Sequence, residues 1–303
     1  MTFSCTGNGE KCETQKLRQP PNSVFLMPFL TANDVRLYYV AYGSGRPMVW
    51  AHAYPLSHRM WQPQWEHFSS RYRVIAYDAR GMGQSDAPLA PDRYSQPLAV
   101  EDLRQLLRAL GIERAIIGGL SMGGNVALHL GLNHPEMCDA LILCDTGAGS
   151  EDPLEHRARV ARYAQAAQQG IESFKRHLTS LPMFGNFVQK RAEFAALFDD
   201  IVSHHPPHGV AHVATQTIGA RPPIYALQDR LRQLRVPTLV IVGEHDEPCI
   251  KVSQFMAATI PHAELSVVKG CGHFTNLEDP LAFNTAVEDF LRRRLTLDRN
   301  WEQ

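Results

Sequence analysis

Short apolar runs recur along this chain and constrain its fold more than any other feature. They are Phe29-Leu30-Thr31, Val35 to Tyr42, Met48 to Ala51, Val74 to Tyr77, Ala115 to Gly119, Ala140 to Cys144, Thr238 to Val242 and Leu265 to Val268. Most are apolar throughout instead of alternating, the pattern of strands buried on both faces of a parallel sheet. Asn33-Asp34 separates the first two runs and predicts a hairpin. Helical spacing fills several of the gaps. Val100, Leu103, Leu106, Leu107 and Leu110 recur with a 3.6-residue period and stop at Gly111, a C′ glycine. Val126, Ala127, Leu130 and Leu132 mark a second helix, and Leu281, Phe283, Val287, Phe290 and Leu291 a last one. Strands alternating with helices predict an α/β protein with a mostly parallel, doubly wound sheet.

One stretch breaks the alternation. Residues 151–231 carry no strand pattern, only helical runs at Arg157 to Ala167, Ile171 to Leu181 and Phe187 to Ser203. Breakers stand at Pro182, Gly185, Pro206-Pro207 and Pro222-Pro223. This predicts a helical cap (151–231) inserted into a core formed by 25–150 and 232–303, lying over the carboxyl edge of the sheet. Residues 1–24 are polar and read as a flexible tail. His204, His205, His208 and His212 cluster in the insertion, but Pro206-Pro207 interrupts any helical face and the spacing fits no zinc pattern. They are expected to form a solvated lip of the cap, with no metal.

Charge and cysteine usage exclude several classes. Lys and Arg number 30 and Asp and Glu 31, a net charge of −1, so no long-range field gathers nucleic acid or anionic lipid. No apolar run reaches the length of a membrane span, about 18 residues. The opening residues lack a secretory apolar stretch. The 6 cysteines are scattered without a C-x-x-C pair. The expectation is a cytoplasmic protein with free thiols and a small-molecule partner, without nucleic acid or membrane. Assembly into a homo-oligomer stays open.

The chemistry concentrates in Gly119-Leu120-Ser121-Met122-Gly123-Gly124, between a predicted strand and a predicted helix. That setting is what a nucleophile elbow requires: small residues at 119 and 123 make room for crossing backbones, and the turn presents the Ser121 hydroxyl. A serine hydroxyl needs a base, and the base needs an orienting acid. Asp246 follows Val240-Ile241-Val242, and His273 follows Val267-Val268, in the order Ser, Asp, His. Glu247 is the next choice for the acid, and His245 competes for the base. An oxyanion needs donors. The backbone N–H of Met122 supplies one, and the N–H of Tyr54, in His52-Ala53-Tyr54-Pro55, supplies the second.

Together the elbow, His52-Ala53-Tyr54-Pro55-Leu56-Ser57, Asp78-Ala79-Arg80-Gly81-Met82-Gly83-Gln84-Ser85-Asp86 and Gly270-Cys271-Gly272-His273 resemble the α/β-hydrolase superfamily. Within it, the chain is similar to carboxylesterases, cofactor-free haloperoxidases and 3-oxoadipate enol-lactonases, over roughly Phe29 to Leu295. The resemblance implies an α/β-hydrolase fold and a serine hydrolase of small apolar or aryl esters, acting through an acyl-enzyme without cofactor or metal. Enol-lactone hydrolysis, C–C bond hydrolysis of ring-cleavage products and perhydrolysis are its alternatives. A ligand-binding receptor on the same scaffold is the non-enzymatic one. Relatives usually carry Gly where this chain has Ala53. Haloalkane dehalogenases and epoxide hydrolases carry Asp at the position of Ser121. Arg80 is expected to pair within the protein.

Overall fold

All eight apolar runs become strands of one sheet in the computed structural model, which describes residues 29–295. The tail expected over 1–24 lies outside the described residues. The strands are β1 (Phe29–Ala32), β2 (Val35–Tyr42), β3 (Arg46–Ala51), β4 (Tyr72–Tyr77), β5 (Ala115–Leu120), β6 (Cys138–Cys144), β7 (Thr238–Gly243) and β8 (Glu264–Val268). Their order is β1-β2-β4-β3-β5-β6-β7-β8. β1/β2 and β2/β4 pair antiparallel, and every other pair is parallel.

The continuous apolar runs are explained by two cores, one on each face. Along β3, Met48 and Trp50 enter one core while Val49 and Ala51 enter the other. Along β6, Ala140, Ile142 and Cys144 face the first, and Leu141 and Leu143 the second. α1 (Gln62–Phe68) and α11 (Pro280–Leu295) bring Phe68, Phe283 and Phe290 to the first core. α2 (Gln96–Ala109), α3 (Met122–Asn133), α9 (Gln228–Gln233) and α10 (Glu247–Thr259) cover the second. Burying both faces removes most of the central strands from water, at about 25 cal/mol for each Å² of apolar surface. α2 ends at Gly111, whose φ of 67° is the left-handed C′ geometry expected from sequence.

The segment between β6 and β7 is helical: α4 (Pro153–Gln168), α5 (Ile171–Thr179), α6 (Pro182–Lys190), α7 (Ala192–Ser203) and α8 (Pro207–His212). A π-helical turn, Val213–Ile218, follows. The helix expected over Phe187 to Ser203 is two helices, because Arg191 is extended (φ −152°, ψ 145°) between α6 and α7. Pro182 does not break a helix but starts one at its first turn, where a missing N–H costs nothing. Val160, Phe174, Phe184, Phe187 and Phe198 of this insertion join the first core.

Candidate active site

β5 leads directly into α3, and Ser121 is the single residue between them. Its φ of 56° and ψ of −107° are strained for an L-residue. The backbone is fixed there by Ser121 N–H to Cys144 O (2.8 Å), Asn125 N–H to Ser121 O (3.1 Å) and Asn125 Nδ2 to the same oxygen (3.0 Å). A Cβ at Gly119 would strike the Gly123 backbone, and one at Gly123 the carbonyl of Ala51. Only glycine permits this crossing. The Ser121 side chain caps nothing in α3, so its hydroxyl is uncommitted.

Backbone hydrogen bonds step across neighbouring strand ends and bring the other residues level. Asp145 N–H reaches Ile241 O (2.8 Å), and His245 N–H reaches Cys271 O (2.9 Å). Asp246 then sits past β7 and His273 past β8. His273 Nδ1 and Asp246 Oδ2 are 2.8 Å apart, and both residues are 3% exposed. Since the carboxylate only accepts, Nδ1 carries the proton, and in the neutral imidazole the lone pair is on Nε2. Asp246 heads α10 without capping it, which frees its carboxylate for the imidazole. Glu247 and His245, the competing choices, are exposed.

Tyr54 follows β3, whose Ala51 pairs with Gly119 on β5. The loop is pinned from the core: His52 Nδ1–H donates to Ala53 O (2.9 Å), and Ala79 N–H donates to His52 Nε2 (2.9 Å). Leu56 N–H also reaches Ala53 O (2.8 Å). Ala53 is not among the described non-glycine residues with positive φ, so the alanine carries no left-handed strain. Met122 is the first residue of α3, where a helix leaves its N–H groups unsatisfied.

Three groups escaped the sequence reading. Glu278 accepts from Gly272 N–H (3.0 Å) and Phe274 N–H (3.1 Å), the amides flanking His273. Lys190 of α6 bonds the same carboxylate (2.6 Å) and also Gly270 O (2.8 Å). Asp145, fully buried past β6, accepts from Gly243 N–H (2.9 Å) and Thr275 Oγ1 (2.5 Å), tying the two loops that carry Asp246 and His273. Burial and the adjacent Asp246 charge push its carboxyl well above the usual carboxylate range. Its place at a strand's carboxyl end was the available signal; for Glu278 no local pattern exists.

Cys249 lies beside the pair, its Sγ 4.0 Å from His273 Nδ1 and bonded to Asp145 O (3.3 Å). Asp246, Cys249 and His273 bring possible metal-ligand atoms within 4.8 Å of one another. Burial and then the Asp246 and Asp145 charges push the thiol well above its ordinary value, so it is a neutral thiol. Burial pushes Cys271 up to about 11. Arg80 pairs with Asp102 within the fold (2.5 and 2.8 Å). Of the histidines expected to form a solvated lip, His204 is exposed, but the others pack back onto the core. His205 is 3% exposed with both ring nitrogens bonded, and His208 and His212 bond the carbonyls of Ala87 (2.9 Å) and Leu89 (3.1 Å). A recess lined by His52, Arg80, Asp102, Met122 and Thr217 flanks the elbow, but neither Ser121 nor His273 lines it.

The model of the alpha/beta hydrolase fold matches residues 46–280. The chain belongs to this family. It is 30% identical to 3-oxoadipate enol-lactonase 2 of Acinetobacter baylyi over 270 residues, covering 87% of this chain and 96% of that one. The crystal structure of the enol-lactonase from Burkholderia xenovorans superposes with a TM-score of 0.75 at 27% identity, covering 87% of this chain and 99% of that one. A thermophilic esterase from Thermogutta terrifontis superposes with a TM-score of 0.70 at 30% identity, covering 86% and 94%. This α/β hydrolase thus has esterases and lactonases among its relatives. No helix among its described residues is long and apolar enough to cross a membrane.

Proposed function

We propose that this hydrolase cleaves the carboxylic ester bonds of small apolar or aryl esters through an acyl-enzyme. The observation that carries the reading is a strained, uncommitted Ser121 on the strand edge that also holds a buried Asp246–His273 hydrogen bond of 2.8 Å. Ser121 Oγ attacks the ester carbonyl while His273 Nε2 takes its proton. Asp246 holds the imidazole in the Nδ1–H tautomer and stabilises the imidazolium. The tetrahedral oxygen is received by the Tyr54 and Met122 amides, neither of which donates to another group among the described residues. Donors of this kind are worth about 3–4 kcal/mol each. His273 protonates the leaving alcohol, and water then releases the acid by the same steps in reverse order.

The insertion serves as the cap and supplies an apolar wall. Tyr163 stacks near Tyr54 (6.2 Å between centroids), and Phe187 packs on Phe274, the neighbour of His273 (4.5 Å). Such surroundings suit an uncharged acyl or aryl group. Lactones are the second reading, favoured by the enol-lactonase relatives. Cys138, Cys144, Cys249 and Cys271 are buried free thiols, which supports a reducing, cytoplasmic setting.

The test is Ser121→Ala assayed on p-nitrophenyl esters and on lactones graded by chain length. Turnover falls by about 10⁴ or more with the fold retained. Near-normal hydrolysis by that variant overturns the assignment, and wild-type protein inactive on every ester and lactone favours a receptor.

A further inference from the structure

The two backbone amides proposed to receive the oxyanion differ in how they are held. Met122 belongs to a long helix. Tyr54 lies in a loop, and the loop is gripped from two sides. The core fixes Ala53 through His52 and Leu56, as described above. Beyond Tyr54 the grip comes from the insertion. His205, between α7 and α8, places Nε2 2.7 Å from Pro55 O. A carbonyl only accepts, so Nε2 carries the proton. The opposite nitrogen, Nδ1, accepts from Gly83 N–H at 2.8 Å. Neutral imidazole in one tautomer satisfies both partners. Val210 of α8 adds a second hold, its carbonyl accepting from Tyr54 Oη at 3.2 Å. α8 can approach this closely because Gly209 lies against Gly81, where a Cβ would strike the Gly81 carbonyl.

We infer that His205 is a positioning residue for ester cleavage: it sets the oxyanion loop from the cap by holding the Pro55 carbonyl, and so aims the Tyr54 amide. This rests on the reading of Tyr54 as an oxyanion donor. His205 touches no substrate. The Gly83 bond orients the ring, and the Pro55 bond transmits that orientation to the loop. The cap therefore completes the catalytic apparatus instead of only shaping the pocket. An amide aimed at a developing charge loses much of its worth when displaced, and misplacement by about 1 Å costs on the order of 100-fold.

The two bonds can be separated by side-chain chemistry. In His205→Asn the amide lies near the Nδ1 position and reaches Gly83 but not Pro55. In His205→Gln an N–H lies near the Nε2 position and reaches Pro55. His208→Asn removes another cap–core bond, to Ala87, away from the loop. The expected result is a kcat about 10–100-fold lower in His205→Asn with KM within about threefold, recovery to within about fivefold in His205→Gln, and no change in His208→Asn. Affinity for a trifluoromethyl ketone, which mimics the tetrahedral intermediate, falls in parallel with kcat. Hydrogen exchange in a peptide spanning residues 52–60 quickens in His205→Asn and not in His205→Gln. Equal kcat in all variants, equal losses in Asn and Gln, or a loss confined to KM overturns the inference. If His205→Asn does not fold, His205→Gln against His208→Asn decides it: a kcat loss beyond tenfold in the Gln variant refutes the Pro55 bond as the operative one. Wild-type protein inactive on esters would defeat the functional reading, whereas unchanged exchange at 52–60 would defeat the anchoring by itself.

Discussion

Replacing Ser121, the proposed nucleophile, by glycine should make the protein more stable while abolishing the proposed ester cleavage. Ser121 sits at φ 56° and ψ −107°, and a backbone held in so sparse a region costs about 1–3 kcal/mol for a residue with a Cβ. Glycine escapes that cost and adds about 0.5–1 kcal/mol of unfolded-state entropy to be lost on folding. The net gain is about 1 kcal/mol. Ser121→Ala is the proper reference, since it keeps the Cβ and the strain and removes only the oxygen. The hydroxyl caps nothing in α3, so its loss adds no second effect. The same three hydrogen bonds around Cys144 and Asn125 hold the turn in both variants. Urea titration should therefore place Ser121→Gly above Ser121→Ala by about 1 kcal/mol, and a thermal melt should place it about 2 °C higher. Both variants are inactive on esters. A glycine variant equal to or less stable than the alanine variant refutes the claim that the turn stores strain.

Glu278→Gln should lower kcat about tenfold and stability by about 2 kcal/mol, because one amide beside His273 loses its acceptor and Lys190 its charge partner; kinetics with urea titration check both. Burial holds the His205 imidazole down to about 4, against a mixed field from His52, Asp78 and His204. The unfolded chain takes that proton near pH 6.5 and the folded chain does not. The contribution is therefore whole above pH 6.5, is lost as pH falls toward 4, and amounts to about 3 kcal/mol. Comparing wild type with His205→Gln at pH 7.5 and pH 4.5 isolates it, and parallel losses in the two proteins would refute it. Asp145 has a raised pKa, so its ionisation opposes folding as pH rises above the usual carboxylate value. Asp145→Asn keeps the acceptor for Gly243, and its stability relative to wild type should grow between pH 5 and pH 8; a difference that shrinks over that range counts against the raised pKa.

The centre of the sheet is legible because β5, β6 and β7 are buried on both faces, so each carries a continuous apolar run, such as Val240-Ile241-Val242. The elbow was legible because its geometry demands particular small residues at fixed offsets. The insertion was harder. Nothing local at Arg191 announces an extended residue between two helices, and Pro182 reads equally as a stop or a start. The sequence suggests a solvated His205 because its burial depends on Pro55 and Gly83, which are distant in sequence. Asp145 escapes for the same reason, since Gly243 and Thr275 lie far along the chain. Glu278 escapes although its amides are near in sequence, because Gly272 and Phe274 contribute only backbone N–H groups, which leave no side-chain signature.

The insertion leaves the sheet after β6 and returns before β7, so the chain can exchange this whole module at two joints without re-threading a strand. Substrate preference would then be portable among relatives, grafted as a block. The tethers at His205 and Lys190 set a condition on such grafts. A donor module lacking them would bring its own walls but leave the loops of Tyr54 and His273 slack, and a swap that also carries both residues should be the one that yields a working chimera.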